Sequence, residues 1–457
     1  MTFLSTLTGE NHTKILMNEE DLIDYFQQNA KSAQTMKIGL EAEFFGVDKR
    51  TGQAIPYFGT GGIQEVLDTL SKKFEYQSIY EGDNIIALKP EETFIALEPG
   101  AQIELSAQPV WNVFEIEGQL QEFFAELHAI ADQFPNIAWL AVGIHPFSAL
   151  SEIPWVPKKR YEIMAEHFRL RGSLSHHMMK RTAATQVNFD YLTEEHAMES
   201  VRVALAITSI VTAMFAHSSF SDGKPNGYLC KRLDIWNHTD PDRSGLPVEF
   251  IKEGKTFENY LDYVLDIPMI FVFRDGHWIP ARNQTFRDFL RNGFEGMRPT
   301  LGDFELHLST VFPEVRIKKY IEIRGADCQR PDLIPAVAAF WKGILYDDWT
   351  RKEVWKLVSD ASERDRLKLH QEVPHQGLDS RLGSKPILPI ARELVELACD
   401  SLRKQKKGRD SDECCFLARI REQITGPGKS PAEILVSMWY EQFVGDPARL
   451  IDYLRIK

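Results

Sequence analysis

The first region in which apolar and polar residues alternate is residues 38–45, near the start of the chain. Side chains two positions apart on a β-strand point to the same face. Glu41 and Glu43 therefore share one face of a predicted strand, and apolar residues such as Ile38 and Leu40 occupy the other. The pattern predicts a strand with one face in a core and two adjacent carboxylates on the opposite face.

Three later segments repeat this pattern, with an apolar face opposite a face of acids, amides and an arginine. Residues 84–106 predict two or three short strands, and residues 184–191 and 315–325 predict one strand each. Solvated sheet faces usually mix lysine, threonine and serine with acids, so this bias toward carboxylates and amides is unusual. The polar faces carry Glu98, Gln102, Glu104, Ser106, Gln186, Asn188, Asp190, Tyr320, Glu322 and Arg324.

Apolar residues at helical spacing predict α-helices at residues 19–32, 63–74, 111–133 and 199–216. Residues 222–256 are rich in Gly, Pro, Asp and Asn and predict a long loop. We expect one α+β domain over residues 1–457, because no clear linker divides the chain. Its core is expected at about residues 36–350 and a helical C-terminal part at residues 331–457, interrupted by a polar segment at residues 403–411.

The charge of the chain limits the partners that it can have. Its 457 residues carry a formal net charge of −13, whereas general nucleic-acid binding requires a basic surface. The sequence contains no run of 18 apolar residues, so no membrane span is expected. Residues 1–14 lack the basic start and apolar core of a signal peptide. We therefore expect neither a nucleic acid nor a membrane among its partners.

The five cysteines are scattered and odd in number, and no CxxC motif is present. This pattern suggests neither a structural zinc site nor a thioredoxin-type site. It is typical of a reducing compartment, and we expect a cytoplasmic protein. The adjacent Cys414 and Cys415 are interpreted as half-buried helix residues rather than as a redox switch.

The neighbouring carboxylates suggest a chemistry. Two acids side by side repel each other unless a cation lies between them, and Mg²⁺ is a hard cation that suits carboxylate oxygens. Phosphates usually complete its coordination shell. Arg324, two residues after Glu322, is suited to a bidentate contact with phosphate. The polar faces favour phosphoryl transfer by positioning and charge neutralisation; the alternative is a solvated sheet without a site.

Several blocks of sequence, in order between residues 36 and 350, match one family. They are residues 38–43, 80–88, 97–106, 157–164, 181–190, 286–290, 307–316 and 320–327. In these blocks the chain resembles the plant and proteobacterial type of glutamate–cysteine ligase, a carboxylate–amine ligase of the glutamine synthetase-like superfamily. The resemblance implies a curved antiparallel sheet that forms a funnel and is surrounded by helices.

The resemblance also implies a reaction. ATP phosphorylates the γ-carboxylate of L-glutamate, and the amine of L-cysteine attacks the acyl phosphate. The products are γ-glutamylcysteine, ADP and phosphate, as in the first step of glutathione-type thiol synthesis. ATP is then a co-substrate, and Mg²⁺ or Mn²⁺ is the implied cofactor. The oligomeric state is expected to be either a monomer or a homodimer.

Residue roles follow from the same resemblance, position by position. The metal-binding acids correspond to Glu41, Glu43, Glu104 and Glu322. The catalytic pair corresponds to Glu322 and Arg324, and the family's arginine at the Arg324 position is expected to contact the transferred phosphate and the nucleotide. The substrate-binding positions correspond to Arg232, Trp236, Gln186 and Asn188. The resemblance implies that Arg232 binds the glutamate α-carboxylate and that Asn188 also lies near the nucleotide.

Three positions depart from the family pattern. Asp234 stands where an arginine usually precedes the Ile–Trp pair, Ala183 replaces a cysteine, and Ala101 replaces a glycine. Asp234 reverses a charge near the expected position of a substrate carboxylate, so the amine acceptor stays open. Two alternatives remain. The first is a γ-glutamyl ligase that uses a different amine, and the second is a non-catalytic nucleotide-binding homologue.

Overall fold

The computed structural model describes residues 14–406 and 412–457. The expectation for the N-terminal segment therefore lies almost wholly outside the described residues, and so does most of the predicted interruption at residues 403–411. The predicted combination of an antiparallel sheet, surrounding helices and a helical C-terminal part is confirmed.

Most of the strands belong to one sheet, and the remainder form short two-stranded pairs. In chain order they are β1 (Ile38–Asp48), β2 (Gln77–Glu81), β3 (Asn84–Lys89), β4 (Phe94–Leu97), β5 (Ile103–Ser106), β6 (Ile137–Leu140), β7 (Thr185–Phe189), β8 (Phe220–Ser221), β9 (Lys224–Pro225), β10 (Ser244–Gly245), β11 (Phe271–Arg274), β12 (His277–Pro280), β13 (Phe312–Pro313), β14 (Val315–Ile317), β15 (Ile321–Ile323), β16 (Arg381–Leu382) and β17 (Lys385–Pro386).

Helices lie between the strands and form almost all of the C-terminal part. In chain order they are α1 (Glu20–Gln28), α2 (Ile63–Phe74), α3 (Val113–Ala129), α4 (Lys159–Arg169), α5 (Ser175–Arg181), α6 (Glu194–Met214), α7 (Lys231–Asn237), α8 (Phe257–Leu265), α9 (Phe286–Asn292), α10 (Leu301–Leu308), α11 (Ile334–Leu345), α12 (Asp348–Val358), α13 (Glu363–Gln376), α14 (Ile387–Gln405), α15 (Ala418–Thr425), α16 (Pro431–Met438) and α17 (Pro447–Leu454).

Strand β1 lies near the middle of the main sheet and fixes its organisation. Across the described residues, the nine strands run in the order β14, β15, β7, β1, β5, β4, β3 and β2, with β6 paired to the far end of β1. Every pair in this sheet is antiparallel. The sequence segments with polar faces, though far apart in the chain, therefore become neighbouring strands.

The apolar face of the sheet packs against helices. Leu40, Ala42 and Phe44 on β1 are completely buried, and the Phe44 ring contacts an aromatic pair on α3. Helix α11 is apolar except for Lys342, and each of its residues is buried among β1, β7, α3 and α14. Burial of this face leaves the opposite face of β1 for the carboxylates, as the alternation predicts.

Helix α6 is long and apolar enough to cross a membrane by length and composition alone. In the fold, however, 89% of its apolar window is buried. It packs against α12, α13 and the β14–β15 hairpin. Its composition is therefore explained by its position as a core helix.

Two predictions of local structure are wrong. Residues 315–325 form two strands rather than one, and the chain reverses at residues 318–320 so that Arg316 pairs directly with Glu322. The apolar positions resume in phase at Ile321, so the one break that the reversal leaves in the alternation is Lys319. Residues 222–256 are not a plain loop, because they contain the two-turn helix α7 and a 3₁₀ turn at Val248–Ile251.

The interpretation of the adjacent cysteines is also corrected. Cys414 lies in a 3₁₀ segment, Glu413–Leu417, and is paired with Cys399 of α14 in a disulfide. Cys415 is exposed and unpaired. The pairing joins residues 15 positions apart in elements of different type, and no sequence motif marks such a pair.

Candidate active site

Four carboxylates collect on the polar face of β1, β4 and β5, and we call them the acidic half of the site. In the strand register Glu43 lies directly opposite Glu104, and Glu41 lies opposite Ser106. Glu98 follows β4 in a tight turn, in which the Ala101 N–H donates to the Glu98 carbonyl at 2.9 Å. Ala101, at the position where the family has glycine, adopts a left-handed φ of 65° in this turn.

The acidic half is held by neutral donors. Glu43 accepts hydrogen bonds from the Ala184 N–H at 2.8 Å and from the Gln186 side-chain amide at 3.3 Å. The Asn188 amide donates to Glu41 at 3.1 Å, and Ser106 donates to Glu104. Within residues 14–406 and 412–457, no lysine, arginine or histidine forms an ion pair with any of the four acids.

Burial without a cation changes the acidity of this group. Burial, together with the charge of Glu98, raises the pKa of Glu43 to about 8. Burial and the charges of Glu98, Glu41 and Glu43 raise the pKa of Glu104 well above its usual value. Mutual repulsion of this kind is relieved when a cation binds between the carboxylates.

On the other side of the site, three cations surround one carboxylate, and we call this group the basic half. The Arg316 guanidinium binds Glu322 in a bidentate manner at 2.7 and 2.8 Å. The Lys318 ammonium lies 2.8 Å from Glu322, and Arg324 lies 2.7 Å from it. Burial alone would raise the pKa of Glu322, but the three cations hold that pKa well below its usual value.

Gln186 on β7 connects the two halves. Its amide nitrogen donates to Glu43, and its amide oxygen accepts a hydrogen bond from Arg324 at 2.5 Å. Asn188, two residues further along the same strand face, lies opposite Glu322 in the register. The opposite neighbour of Asn188 on β1 is Gly39, where an added Cβ would lie only 3.3 Å from the Asn188 Cβ. The glycine therefore leaves room for the Asn188 side chain.

Helix α7 supplies two N–H donors to the site. The Arg232 guanidinium donates to the carbonyls of Arg324 at 3.0 Å and Gly325 at 3.5 Å. In the described part of the chain, the buried Arg232 Nε and Trp236 Nε1 have no hydrogen-bond partner. Both residues line the same cavity, and the Trp236 ring lies 5.5 Å from the Arg324 guanidinium. Buried donors of this kind are suited to an anionic ligand.

Asp234 lies on the outer side of this helix. Its carboxylate pairs with Lys231 at 2.6 Å and with His238 at 3.4 Å. It is absent from the cavity lining, whereas Arg232 and Trp236 line it. The charge reversal that the sequence places beside the substrate carboxylate is therefore directed away from the site.

The two halves enclose one cavity of about 170 Å³, which we call the inner cavity. Among the described residues its lining includes the four acids and six basic side chains, namely Lys158, Arg160, Arg232, Arg316, Lys318 and Arg324. A larger outer cavity of about 1700 Å³ adjoins it, since both are lined by Lys158 and Arg160. The outer cavity is rich in further cations and aromatic rings, namely Lys31, Lys37, Lys89, Lys159, Lys319, Tyr80, Phe94, Phe273, Trp278 and Tyr320.

Seven of the expected site residues line the inner cavity, namely Glu41, Glu43, Glu104, Gln186, Arg232, Trp236 and Arg324. Glu322 and Asn188 are absent from this lining. Glu41, Glu43 and Glu104 lie together, but Glu322 is separated from them and enclosed by cations. No group of three or more histidine, cysteine or acidic side chains in the described ranges is already arranged to hold a metal ion. The predicted set of four metal-binding acids is therefore not assembled as a ready-made cage.

Sequence reasoning did not assign a role to several residues of the site. Glu98 is visible on the polar face but is missing from the predicted metal set, although its charge raises the pKa of Glu43. Arg316 and Lys318 follow from the hairpin register, which the alternation does not reveal. Lys158 is far in sequence from the strands with polar faces. In the fold, however, its ammonium donates to the carbonyl of Leu97 on β4 at 2.7 Å.

Comparison with known proteins identifies the family of the chain. The model of glutamate–cysteine ligase family 2 matches residues 37–451. The chloroplastic glutamate–cysteine ligase of Nicotiana tabacum is 37% identical over 427 residues, which are 93% of this chain and 80% of that protein. The chloroplastic enzyme of Arabidopsis thaliana is 36% identical over 426 residues, 93% of this chain and 80% of that protein.

A solved structure shares the fold at low sequence identity. The glutamate–cysteine ligase of Francisella tularensis in complex with AMP aligns with a TM-score of 0.56 and 11% identity. The alignment covers 92% of this chain and 88% of that one.

The expectation of a cytoplasmic protein is contradicted, because these plant relatives are chloroplastic enzymes. Cysteine usage separates oxidising from reducing compartments, but it does not distinguish one reducing compartment from another. Because the family model matches residues 37–451 and the curated relatives are 36–37% identical over more than nine-tenths of the chain, the chain belongs to glutamate–cysteine ligase family 2.

Proposed function

We propose that this chain catalyses the ATP-dependent ligation of L-glutamate to L-cysteine. The products are γ-glutamylcysteine, ADP and phosphate, and γ-glutamyl phosphate is the intermediate. The observation that carries the proposal is the pairing of an acidic and a basic half around one inner cavity. Such a cavity is complementary to a nucleotide polyphosphate with a bound divalent cation, and its family supplies the reaction.

The glutamate α-carboxylate is assigned to the unpaired N–H groups of α7. Arg232 is fixed by two backbone carbonyls, so its guanidinium is held in place before any ligand arrives. Its Nε and the Trp236 Nε1 are left to donate to an anion in the cavity. A charge-assisted pair of this kind fixes the orientation of the amino acid and directs its γ-carboxylate toward Arg324.

The nucleotide is assigned to the outer cavity. Its aromatic residues, Tyr80 and Trp278 among them, provide surfaces for a purine ring, and its lysines suit the phosphates. Lys158 and Arg160 line both cavities, so they lie where a polyphosphate would pass into the inner cavity. Arg324 is then the donor expected at the transferred phosphoryl group.

A divalent cation, Mg²⁺ or Mn²⁺, fits the acidic half. Glu43, Glu98 and Glu104 are carboxylates without a cationic partner in the described chain, and the pKa values of two of them are raised by burial and repulsion. Bound there, the ion would neutralise these acids together with the phosphates. Glu322 fits less well in this state, because both of its oxygens are already bound by cations.

The chemistry has two displacements. A γ-carboxylate oxygen of glutamate attacks the γ-phosphorus of ATP, the bond to the bridging oxygen breaks, and ADP leaves. The neutral cysteine amine then attacks the acyl carbon, inorganic phosphate leaves with the electron pair of the broken bond, and the nitrogen gives up one proton to the leaving phosphate. Arg324 stabilises charge on the phosphoryl oxygens in both steps. Apolar walls that include Met164, Met178 and Phe312 limit access of water to the acyl phosphate.

Product analysis tests the proposal. The purified chain is incubated with ATP, glutamate and each member of a panel of amines, and ADP, phosphate and peptide products are quantified. We expect cysteine to give γ-glutamylcysteine with one ADP and one phosphate per product. A different amine with a kcat/KM far above that of cysteine would replace the acceptor, and absence of turnover with every amine would reject the ligase.

A further inference from the structure

The Lys318 side chain has an unusual position in the basic half. It follows β14 in the turn of the hairpin, and its ammonium lies 2.8 Å from Glu322 and lines the inner cavity. Its exposed fraction is 15%, whereas the Glu322 side chain is completely buried. Glu322 is the one ion-pair partner of Lys318 in the described part of the chain.

The other two cations of the basic half are held more firmly. Arg316 makes two hydrogen bonds to Glu322 and three to the carbonyls of Leu308, Ser309 and Val311. Arg324 binds both Glu322 and Gln186. Lys318 has one ion pair, to Glu322, and its ammonium lies 5.0 Å from the centre of the Tyr320 ring. It accordingly has fewer polar contacts than either arginine, and its side chain is flexible, so it is the cation that an incoming ligand can displace at least cost.

The charges of the basic half disfavour a metal ion that arrives alone. Three cations and one carboxylate leave a net charge of +2 around Glu322. A dication approaching this group is repelled, and both carboxylate oxygens are already bound. A phosphate is attracted by the same excess charge, and it offers Lys318 a new acceptor.

We propose that Lys318 is a phosphate-contacting residue that leaves Glu322 when the nucleotide binds. Its ammonium then donates to a phosphate oxygen, and the position that it held on Glu322 Oε2, beside the Arg316 hydrogen bond, becomes available to a divalent cation. Glu322 thus becomes a metal-ligand position only after polyphosphate has entered the cavity. This inference rests on the proposed ATP-dependent function, and it adds an order in which the ligands of the site assemble.

Nucleotide-free Mn²⁺ binding, followed by the EPR signal of free Mn²⁺, tests the resting state. We expect Glu322→Gln and the wild-type protein to bind the same number of ions, because Glu322 is not available without nucleotide. We expect Lys318→Met to bind one further ion, and Lys318→Met combined with Glu322→Gln to lose it. A smaller number of ions in Glu322→Gln alone would overturn the proposal.

Binding of a non-hydrolysable ATP analogue tests the bound state. Loss of a charge-assisted contact in Lys318→Met should weaken analogue binding about 10- to 100-fold, and Lys318→Arg should restore most of it. The matched control is Lys342→Met, which breaks a buried lysine–glutamate pair at 2.6 Å with Glu413, outside both cavities. We expect the control to lower the melting temperature while leaving ion number and analogue affinity unchanged.

Two further outcomes separate this inference from the proposed function. If Lys318→Met matches the wild-type protein in ion number and analogue affinity while the wild-type protein forms γ-glutamylcysteine, the ligase stands and the role of Lys318 is rejected. If the ion and analogue results are as expected but no peptide forms, the role of Lys318 stands for another ATP-dependent reaction. Should Lys318→Met fail to fold, the Glu322→Gln comparison decides.

Discussion

The acidic and basic halves of the inner cavity face each other across Gln186, but their charges are compensated differently. In the acidic half, three of the four carboxylates accept hydrogen bonds from neutral donors, and the pKa values of Glu43 and Glu104 rise. In the basic half, a single carboxylate is bound by three cations, and its pKa falls. The acidic half has an excess of negative charge and the basic half an excess of positive charge. A metal–polyphosphate complex is therefore complementary to both.

The two halves also differ in how the cost of burying their charges is compensated. The Arg316–Glu322 pair is bidentate and completed by backbone carbonyls, which is the geometry that offsets desolvation of a buried pair. The acids of the acidic half have no such compensation, so their burial is a cost to stability that ligand binding relieves. The site is therefore expected to be stabilised by its ligands more than the surrounding core is.

The largest expected effect comes from removing the phosphate-contacting arginine of the basic half. Arg324→Gln should lower kcat by about 10³-fold, because a buried donor to the developing phosphoryl charge is lost. Initial rates of ADP release measure this change. Arg455→Gln, which removes a surface pair with Asp452 at 2.7 Å, serves as the control and should leave the rate unchanged. An Arg324→Gln rate within about threefold of the wild-type rate would contradict the assignment.

The second effect concerns the amino acid. Arg232→Ala should raise the KM for glutamate by about 30-fold, while the KM for ATP changes little, because a charged hydrogen bond to the α-carboxylate is lost. Steady-state kinetics with each substrate varied in turn separates the two constants. Equal increases in both would show that Arg232 supports the site in general rather than binding glutamate.

The third effect is a pH dependence of stability in the acidic half. Glu43 has a pKa of about 8 in the folded, metal-free protein, above its usual value of 4.5. Its contribution to stability is therefore present below the lower value and is lost as the pH rises toward the higher one. Melting temperatures of the metal-free protein should fall between about pH 5 and pH 8.

Glu43→Gln should reduce this fall, because the glutamine side chain does not ionise. Added Mn²⁺ should reduce the fall in the wild-type protein, since it favours the ionised carboxylate. Differential scanning fluorimetry across that pH range measures both. A wild-type curve and a Glu43→Gln curve that run parallel would remove the role assigned to burial of this carboxylate.

The smallest effect is expected outside both halves. Asp234→Ala removes a carboxylate whose partners are Lys231 and His238 on the outer side of α7. We expect the KM values for glutamate, cysteine and ATP to change less than about twofold, because neither Asp234 nor its two partners line the inner cavity. A large change in the KM for glutamate would mean that Asp234 faces the substrate in the working enzyme.

Much of the fold was predictable, because burial of one sheet face leaves a period of two in the sequence. The acids of β1 and the helix at residues 63–74 were predicted at the positions where they occur. The turn at residues 318–320 was not, because it contains no glycine, proline or asparagine and the apolar positions resume in phase at Ile321 after a single break at Lys319. The pattern specifies which face a residue occupies but not the direction of the chain.

The same limit explains what was missed in the site. Glu41, Glu43, Glu104 and Glu322 stand out as acids on an alternating strand. That three of them lack cations while the fourth is surrounded by them depends on strand register, which brings Arg316 and Lys318 onto Glu322. The expectation was one face of acids, amides and an arginine with all four acids as metal ligands, and the structure instead divides the charges between an acidic and a basic half.

Transfer of an oxygen atom tests the central claim most directly. Glutamate labelled with ¹⁸O in its γ-carboxylate is turned over with ATP and cysteine, and the released phosphate is examined by mass spectrometry. If the γ-carboxylate is phosphorylated in the cavity between the two halves, each phosphate carries one ¹⁸O, and label in the α-carboxylate gives none. Phosphate free of ¹⁸O from the γ-labelled substrate would contradict the account.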